Sequence, residues 1–336
     1  MQSDADIAAT ASLAARNGHE SLPVISVVIP TYEPTSFLLD TLRSVIAQDL
    51  GPEQMQIAIV DDASNRVDIP SLVAGIARDH RIELLENEER LGLAGNWNRA
   101  LDHARGEFVH ILHQDDIVGA GFYEALLTGL RRSSRIGMAF CRHAFIDERN
   151  RVERISHRER LRAGVLSRWL DRISERQRVQ CPAAIVRRDV YRTLGGFRND
   201  LPYALDWEMW VRIASAYDVW YDPRVLASYR RHAGAETARL QAAGQTVSDM
   251  MAAIAVMATH LPPARRRALQ DRAHRRLVHV HTRRAAKLIR RGSRELAALE
   301  LQGAREALSQ LTDNLTTRWW EWKLARIGRR LADLAG

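Results

Sequence analysis

The stretch Gly106-Glu107-Phe108-Val109-His110-Ile111-Leu112-His113-Gln114-Asp115-Asp116 restricts the fold more than any other part of the chain. A β-prone apolar run stops at two adjacent carboxylates, and Ile117-Val118-Gly119-Ala120-Gly121 then leads into a helical pattern. The acids are therefore expected at the carboxyl end of a strand, the edge at which open α/β sheets bind ligands. Two neighbouring carboxylates cannot be buried without a cation, and oxygen ligands at a strand tip suit Mg²⁺ or Mn²⁺ carried in with a phosphate. Taken alone, the pair would serve equally well as a cap for the next helix.

Earlier residues repeat the pattern. Val24-Ile25-Ser26-Val27-Val28-Ile29 reads as a strand buried on both faces of a parallel sheet, ended by Pro30-Thr31-Tyr32-Glu33-Pro34. Phe37, Leu38, Thr41, Leu42, Val45 and Ile46 then recur at helical spacing. Gln56 to Val60 forms a second strand that also ends in two acids, Asp61 and Asp62. A helix over 70–79, a strand from Arg81 to Leu85 and a helix containing Trp97 and Ala100 follow. Strands alternating with helices imply βαβ units, right-handed crossovers and a mostly parallel sheet. Neither G-x-G-x-x-G nor G-x-x-x-x-G-K-[ST] follows the first strand, which disfavours a dinucleotide-binding fold and a P-loop.

In the second half, Gly137 to Ile146 is apolar and Arg149 to Arg178 is highly charged. A short helix over 190–194 and a Gly195-Gly196-Phe197 turn precede Asp206, which stands where an N-cap belongs, with Trp207, Trp210, Val211 and Ile213 on one side of the helix. Capping leaves room for chemistry, because a helix N-terminus keeps a carboxylate ionised. Val219 to Tyr221 and Val225 to Tyr229 read as two short strands before Arg230-Arg231-His232, and from about Glu236 the pattern is helical. The expected organisation is a mobile arm over 1–22, a sheet domain over 23–235 and a basic helical region over 236–336.

Charge separates these parts. The net +8 divides into 18 Lys/Arg against 7 Asp/Glu from Leu261 to Gly336, a net of +11, and 31 against 34, or −3, before it. A slightly acidic body is a poor partner for nucleic acid, so none is expected. Cys141 and Cys181 form no CxxC pair, so neither a disulfide framework nor a cysteine zinc site is indicated, and a reducing compartment fits. No run reaches the roughly 18–20 apolar residues that span a bilayer, and Met1 to Glu20 lack a basic segment followed by an apolar one. A cytoplasmic location is expected.

Several motifs then fall in order between Ser26 and His232: Val27 to Tyr32, Ile59 to Ser64, Leu91-Gly92 through Asn98, Gly106 to Asp116, Gly195-Gly196-Phe197, Asp206-Trp207-Glu208 and Tyr229 to His232. In this set the chain resembles the family 2 glycosyltransferases, inverting enzymes of the GT-A fold that use nucleotide-sugar donors. The resemblance implies an α/β fold, a Rossmann-like, mostly parallel sheet flanked by helices, here with a C-terminal helical appendage. It also implies a nucleotide-sugar half over about 23–120 and an acceptor half over about 121–235. Tyr32 would stack on the nucleobase, Asp62 would accept a hydrogen bond from its ring N–H, and Asp115 would contact ribose or metal. Asp116 would hold Mn²⁺ or Mg²⁺ on the diphosphate. Pro30 and Asn98, in the matched motifs, and Glu33, directly after Tyr32, would bind the nucleotide sugar, and Trp207 and Glu208 the acceptor. Asp206 matches the general base that takes the proton of the acceptor hydroxyl as it attacks the anomeric carbon from the opposite face.

Two positions depart from the family pattern. His113 stands where the family often has Asp, and could ligate metal, hydrogen-bond a ribose or pack beside the ligands. Leu205 stands where a second acid is common. Arg230 and His232 would lie over the diphosphate or form a solvated basic loop. The implied reaction moves sugar from a nucleotide-diphosphate sugar, with a UDP-sugar expected, to a saccharide or lipid-linked acceptor in cell-surface polysaccharide or glycolipid assembly.

Two readings compete. A sugar-1-phosphate nucleotidyltransferase would carry a Gly-rich basic loop where this chain has Pro30 to Pro34. A non-catalytic nucleotide-sugar-binding or scaffolding relative would have lost the base or the metal carboxylates, whereas Asp115, Asp116 and Asp206 are all present. In the tail, Trp320, Leu324, Ile327, Leu331 and Leu334 gather on one side of a helix with Arg318, Lys323, Arg326, Arg329 and Arg330 on the flank and opposite side. That stripe suits an anionic membrane, giving peripheral association with its inner face, or it packs on the preceding helices or pairs two subunits.

Overall fold

The computed structural model describes residues 22–48, 50–51, 53–76, 82–312 and 315–333; the arm expected over 1–22 lies outside them except for Leu22. Its centre is β1 (Ile25–Thr31), buried along its whole length. On one side lie β2 (Met55–Asp61) and β3 (Ile82–Glu86), and on the other β4 (Phe108–Ile111), all parallel to β1 or to each other. Alternation sorts the apolar run to both faces. Ile25, Val27 and Ile29 join one core layer with Leu38 and Leu42 of α1 (Phe37–Ile46), while Val28 joins another with Trp97 and Ala100 of α3 (Gly92–His103). Gly106 permits the turn into β4, since a Cβ there would meet the Ser26 nitrogen at 2.5 Å. The short α2 (Ile69–Val73) is capped by Asp68, whose Oδ1 accepts the Ser71 N–H at 3.1 Å; it is shorter than the helix expected over 70–79.

The sheet runs β3-β2-β1-β4-β9-β6-β10-β5. Here β9 (Ala184–Arg187) runs antiparallel to both β4 and β6 (Ile136–Ile146), so it splices the first parallel block to a second, β6 with β10 (Asp218–Arg230). Short antiparallel additions are β5 (Ile117–Val118) and β8 (Gly164–Val165) on β10, and β7 (Val152–Ile155) on β6. The two strands expected over 219–229 are one continuous β10. Pro223 lacks a ladder donor, and the register shifts between Asp222 and Val225 let the strand continue past it.

Among the later connections, α4 (Phe122–Leu130) joins the core layer of α1, whereas α5 (Trp169–Ile173), α6 (Arg188–Leu194) and α7 (Leu205–Ala216) join that of α3. The last strand ends at Arg230, and among the described residues five α-helices follow: α8 (Glu236–Ala242), α9 (Thr246–Met257), α10 (Pro263–Arg290), α11 (Arg294–Ser309) and α12 (Leu315–Asp333). Leu269, Leu277, Leu301, Trp320 and Leu324 of these helices belong to the same apolar cluster as Val28, Trp207 and Trp210. The tail stripe therefore packs on protein. Trp320 and Leu324 are buried and Ile327 and Leu331 lean on the core, leaving Trp319 and Trp322 exposed; Leu334 lies outside the described residues. Among the described residues no helix is long and apolar enough to cross a membrane.

Candidate active site

The chain leaves β1 for β2 on one side and returns to β4 on the other, which opens a crevice at the carboxyl ends of β1 and β4. A cavity of about 800 Å³ occupies it, lined by Pro30, Tyr32, Asp62, His113, Asp115, Asp206, Trp207 and His232, among others. Eight of the residues expected from the sequence thus share one space.

The strand tips are held tightly. Glu33 and Ala63, just beyond β1 and β2, both have positive φ, +44° and +57°, a costly conformation for residues with a Cβ. Asp61 offsets that cost by accepting from Ser64 N–H and Ser64 Oγ at 2.8 and 2.6 Å, while Ser64 Oγ accepts the Glu33 N–H at 2.7 Å. Gln114 pins the tip to the acidic motif: its Oε1 accepts Tyr32 N–H at 3.0 Å and its Nε2 donates to Tyr32 O at 3.1 Å. The Arg90 guanidinium lies 3.8 Å over the Tyr32 ring. Asp62 is engaged within the protein, accepting from Leu91 N–H at 2.7 Å, Gly92 N–H at 2.9 Å and Asn87 Nδ2 at 3.2 Å.

At the end of β4, ligand atoms of His113, Asp115 and Asp116 lie within 4.8 Å of one another. Asp116 is fully buried, its Oδ1 accepting Arg230 N–H at 2.8 Å. Its Oδ2 lies 3.2 Å from His113 Nδ1 without hydrogen-bond alignment, and Asp116 Oδ2 and His113 Nε2 are both left without a hydrogen-bond partner. Burial and the Asp115 charge raise the Asp116 pKa. Burial opposes a charge on His113, yet Asp116 and Cys181 beside it raise its pKa well above the ordinary range. Asp115 is exposed to the cavity and accepts from or shares a proton with His232 Nε2 at 2.7 Å, which raises the His232 pKa. One imidazole and two carboxylates, with His113 Nε2 and Asp116 Oδ2 buried and unpartnered, are a donor set that fits a divalent cation of the Mn²⁺ or Mg²⁺ type. The ring of Trp97 packs 5.0 Å from that of His113.

Asp206, also on the cavity lining, sits in the first turn of α7 rather than at its cap, which is Ala204. The cap is supplied from the helical region instead: Asp249 Oδ2 of α9 accepts Tyr203 N–H and Ala204 N–H, each at 2.7 Å. Asp206 Oδ1 accepts Trp207 N–H at 2.7 Å and Oδ2 accepts Gln177 Nε2 at 2.6 Å. Burial pushes its pKa up to about 6, against the hydrogen bond from Trp207 N–H, the His113 charge and the Gln177 bond.

Five expected site residues do not line the cavity with their side chains. Asp116 lies beneath it. Glu33 accepts Asn65 N–H at 3.1 Å and pairs with Arg66 at 3.3 Å, bracing the loop. Asn98 holds the Gly195-Gly196-Phe197 turn, its Oδ1 accepting Phe197 N–H at 2.7 Å and its Nδ2 donating to Phe197 O at 2.9 Å. Glu208 is buried and paired with Arg212 at 2.7 Å, and Arg212 in turn donates to the Leu194, Gly195 and Gly196 carbonyls. Arg230 is neither a diphosphate clamp nor a solvated loop residue. It is buried, donating from Nε to Asp115 O at 2.8 Å and from Nη1 to Asn150 Oδ1 at 2.6 Å, so it braces the acidic turn from below. Trp207 borders the cavity but is 1% exposed, its Nε1 donating to Ile173 O at 2.7 Å. Sequence reasoning missed Gln114, Arg90, Gln177 and the face of α10 that closes the cavity; of these only Gln114 lay inside a motif.

The profile described as Glycosyl transferase family 2 matches residues 26–195. The uncharacterized protein MT1568 of Mycobacterium tuberculosis is 32% identical over 238 residues, covering 68% of this chain and 73% of its own. Among solved structures, S. aureus TarS 1-349 in complex with UDP-GlcNAc superposes with a TM-score of 0.68 at 15% identity over 92% of this chain and 88% of that one. The mannosyltransferase PcManGT from Pyrobaculum calidifontis, in complex with GDP-Man and Mn²⁺, gives 0.52 at 22% identity over 93% and 86%. These two likenesses bear on the fold, a GT-A sheet extended by helices. With its motifs gathered on one crevice and the profile spanning β1 to the end of α6, the chain belongs to family 2 of the glycosyltransferases.

Proposed function

We propose that this glycosyltransferase moves a sugar from a nucleotide-diphosphate donor, a UDP-sugar, to an acceptor hydroxyl with inversion. The observation that carries the reading is the cavity itself, which the Tyr32 and Asp62 strand tips, Asp115 and Asp206 line together. Nucleotide recognition falls to Tyr32, Asp62 and Pro30, and the UDP-GlcNAc that TarS holds is support for a uridine donor on this fold. His113, Asp115 and Asp116 would hold a divalent cation, which supplies charge stabilisation to the departing diphosphate when bound.

Asp206 performs the proton transfer. A pKa near 6 leaves the carboxylate ionised at neutral pH yet basic enough to accept a proton from a hydroxyl in the transition state. Its two oxygens are fixed by the Trp207 N–H and Gln177 amide, so the base is oriented before substrate arrives. The acceptor hydroxyl then approaches the anomeric carbon opposite the leaving group, and one displacement inverts the centre.

The test is release of nucleoside diphosphate from a panel of UDP-, GDP- and dTDP-sugars, with Mn²⁺ and with EDTA. Metal-dependent UDP release, lost in Asp206→Asn, is expected. Binding of UDP without any turnover across acceptors would instead identify a non-catalytic relative.

A further inference from the structure

Beyond Asp206 the cavity continues between the segment Glu175 to Gln180 and one face of α10, where Arg276, Val280 and Arg284 recur at helical spacing. This end is strongly cationic. Arg154, Arg176, Arg178, Arg276 and Arg284 all line the cavity, whose acids besides Asp62, Asp115 and Asp206 are Glu159, Glu175 and Glu236. Glu159 is already held by Arg172 at 3.2 Å and Arg178 at 3.1 Å, and Arg284 reaches Glu300 at 3.8 Å. Arg154, Arg176 and Arg276 have no acid within the 4.0 Å of an ion pair among the described residues. Burial, then the charges of Arg178 and Arg276, lower the Arg176 pKa, with Glu159 and Glu175 compensating in part. The protein has brought like charges together in a concave space and left them without a full set of counter-charges.

We propose that this end of the cavity is an anion subsite, and that the acceptor carries a phosphate or phosphodiester near the hydroxyl that is glycosylated. The inference rests on the donor and base assignments made above. Guanidinium forks match phosphate oxygens two at a time, which separates this wall from the neutral polar surface a plain saccharide needs. Position ties the subsite to the chemistry. Gln177, which donates to Asp206 Oδ2 at 2.6 Å, sits between Arg176 and Arg178, so an anion on Arg176 holds its attached saccharide beside the base. The donor diphosphate is assigned to the cation site of His113, Asp115 and Asp116, which is formed by residues other than these arginines. The phosphate can belong to a lipid-linked sugar or to a soluble sugar phosphate, since both present the same group.

The test uses the full chain saturated with UDP and Mn²⁺, so that the donor's diphosphate site is filled. Methyl glucoside 6-phosphate and methyl glucoside are titrated by calorimetry, and phosphatidylcholine vesicles with and without a lipid-linked sugar diphosphate are tested by co-sedimentation. At least one phosphate-bearing probe is expected to bind about tenfold or more tightly than its neutral counterpart. The arm that shows the preference names the source. R176Q/R276Q should lose the preference while UDP affinity stays within about twofold of wild type, and R176K/R276K, which keeps the charge, should retain part of it. Equal affinity for charged and neutral probes in both arms, or a preference that survives R176Q/R276Q, overturns the subsite. UDP binding without phosphate preference sinks the subsite alone, whereas absence of UDP binding in wild type removes the donor reading and this inference with it.

Discussion

Gln177 donates its side-chain amide to Asp206 Oδ2 at 2.6 Å, and its own Oε1 accepts Arg178 N–H at 3.0 Å. The second bond fixes which end of the amide faces the carboxylate, so Asp206 meets a donor. In Asp206→Asn the same amide faces either oxygen or an NH₂ group, and no base remains. Turnover should fall by about two to four orders of magnitude. UDP affinity, assigned to other residues, should stay within about twofold of wild type. Steady-state kinetics beside calorimetry separates the two effects; near-normal turnover would remove Asp206 from the mechanism.

The pH profile carries the sign of the Asp206 shift. Its pKa is raised to about 6, and the working form is the ionised one. Activity should therefore be present above pH 6 and decline as pH falls through that value, with a slope of one proton. Gln177→Leu removes a hydrogen bond that favours the carboxylate, so the acid limb should move to higher pH. A limb unchanged in that variant would show that another group titrates.

Asp116→Asn tests the cation site without emptying the core. The amide oxygen can still accept the Arg230 N–H that Asp116 Oδ1 accepts at 2.8 Å, so the fold should persist. The negative charge is lost, and Mn²⁺-dependent UDP affinity should drop by roughly tenfold or more. Indifference of UDP affinity to both this change and EDTA would leave the triad a structural turn.

Removal of residues 315–336 should lower the melting temperature, because α12 buries Trp320 and Leu324 in the main core. Two such side chains account for about 3–6 kcal/mol of transfer free energy, or roughly 5–15 °C for a chain of this size. Calorimetry reads it directly. An unchanged melting temperature together with lost binding to anionic liposomes would restore the membrane placement of the stripe.

The strand tips were legible because local pattern specifies them: a β-branched run ending in acids needs no distant partner to be recognised. The site's supports were not. Glu33, Asn98, Glu208 and Arg230 lie in or beside the motifs, yet each is engaged with backbone or charge within the protein. A motif marks that a residue matters, and only the fold tells whether it faces ligand or neighbour. Pro223 made β10 look like two strands, because periodicity registers a missing donor and not the partner strand that bridges it. The arginine wall was hidden for a similar reason, since Arg176 and Arg276 stand a hundred residues apart and meet only when α10 folds back over the crevice.

Asp249 on α9 caps the helix that bears Asp206, and the helices after it share a single core with the sheet. The helical region is consequently not a cassette that recombination could exchange between relatives with different acceptors. A graft ending at Arg230 would strip Tyr203 and Ala204 of their partner and remove the α10 residues that line the cavity, so sheet domain and helices have to change together.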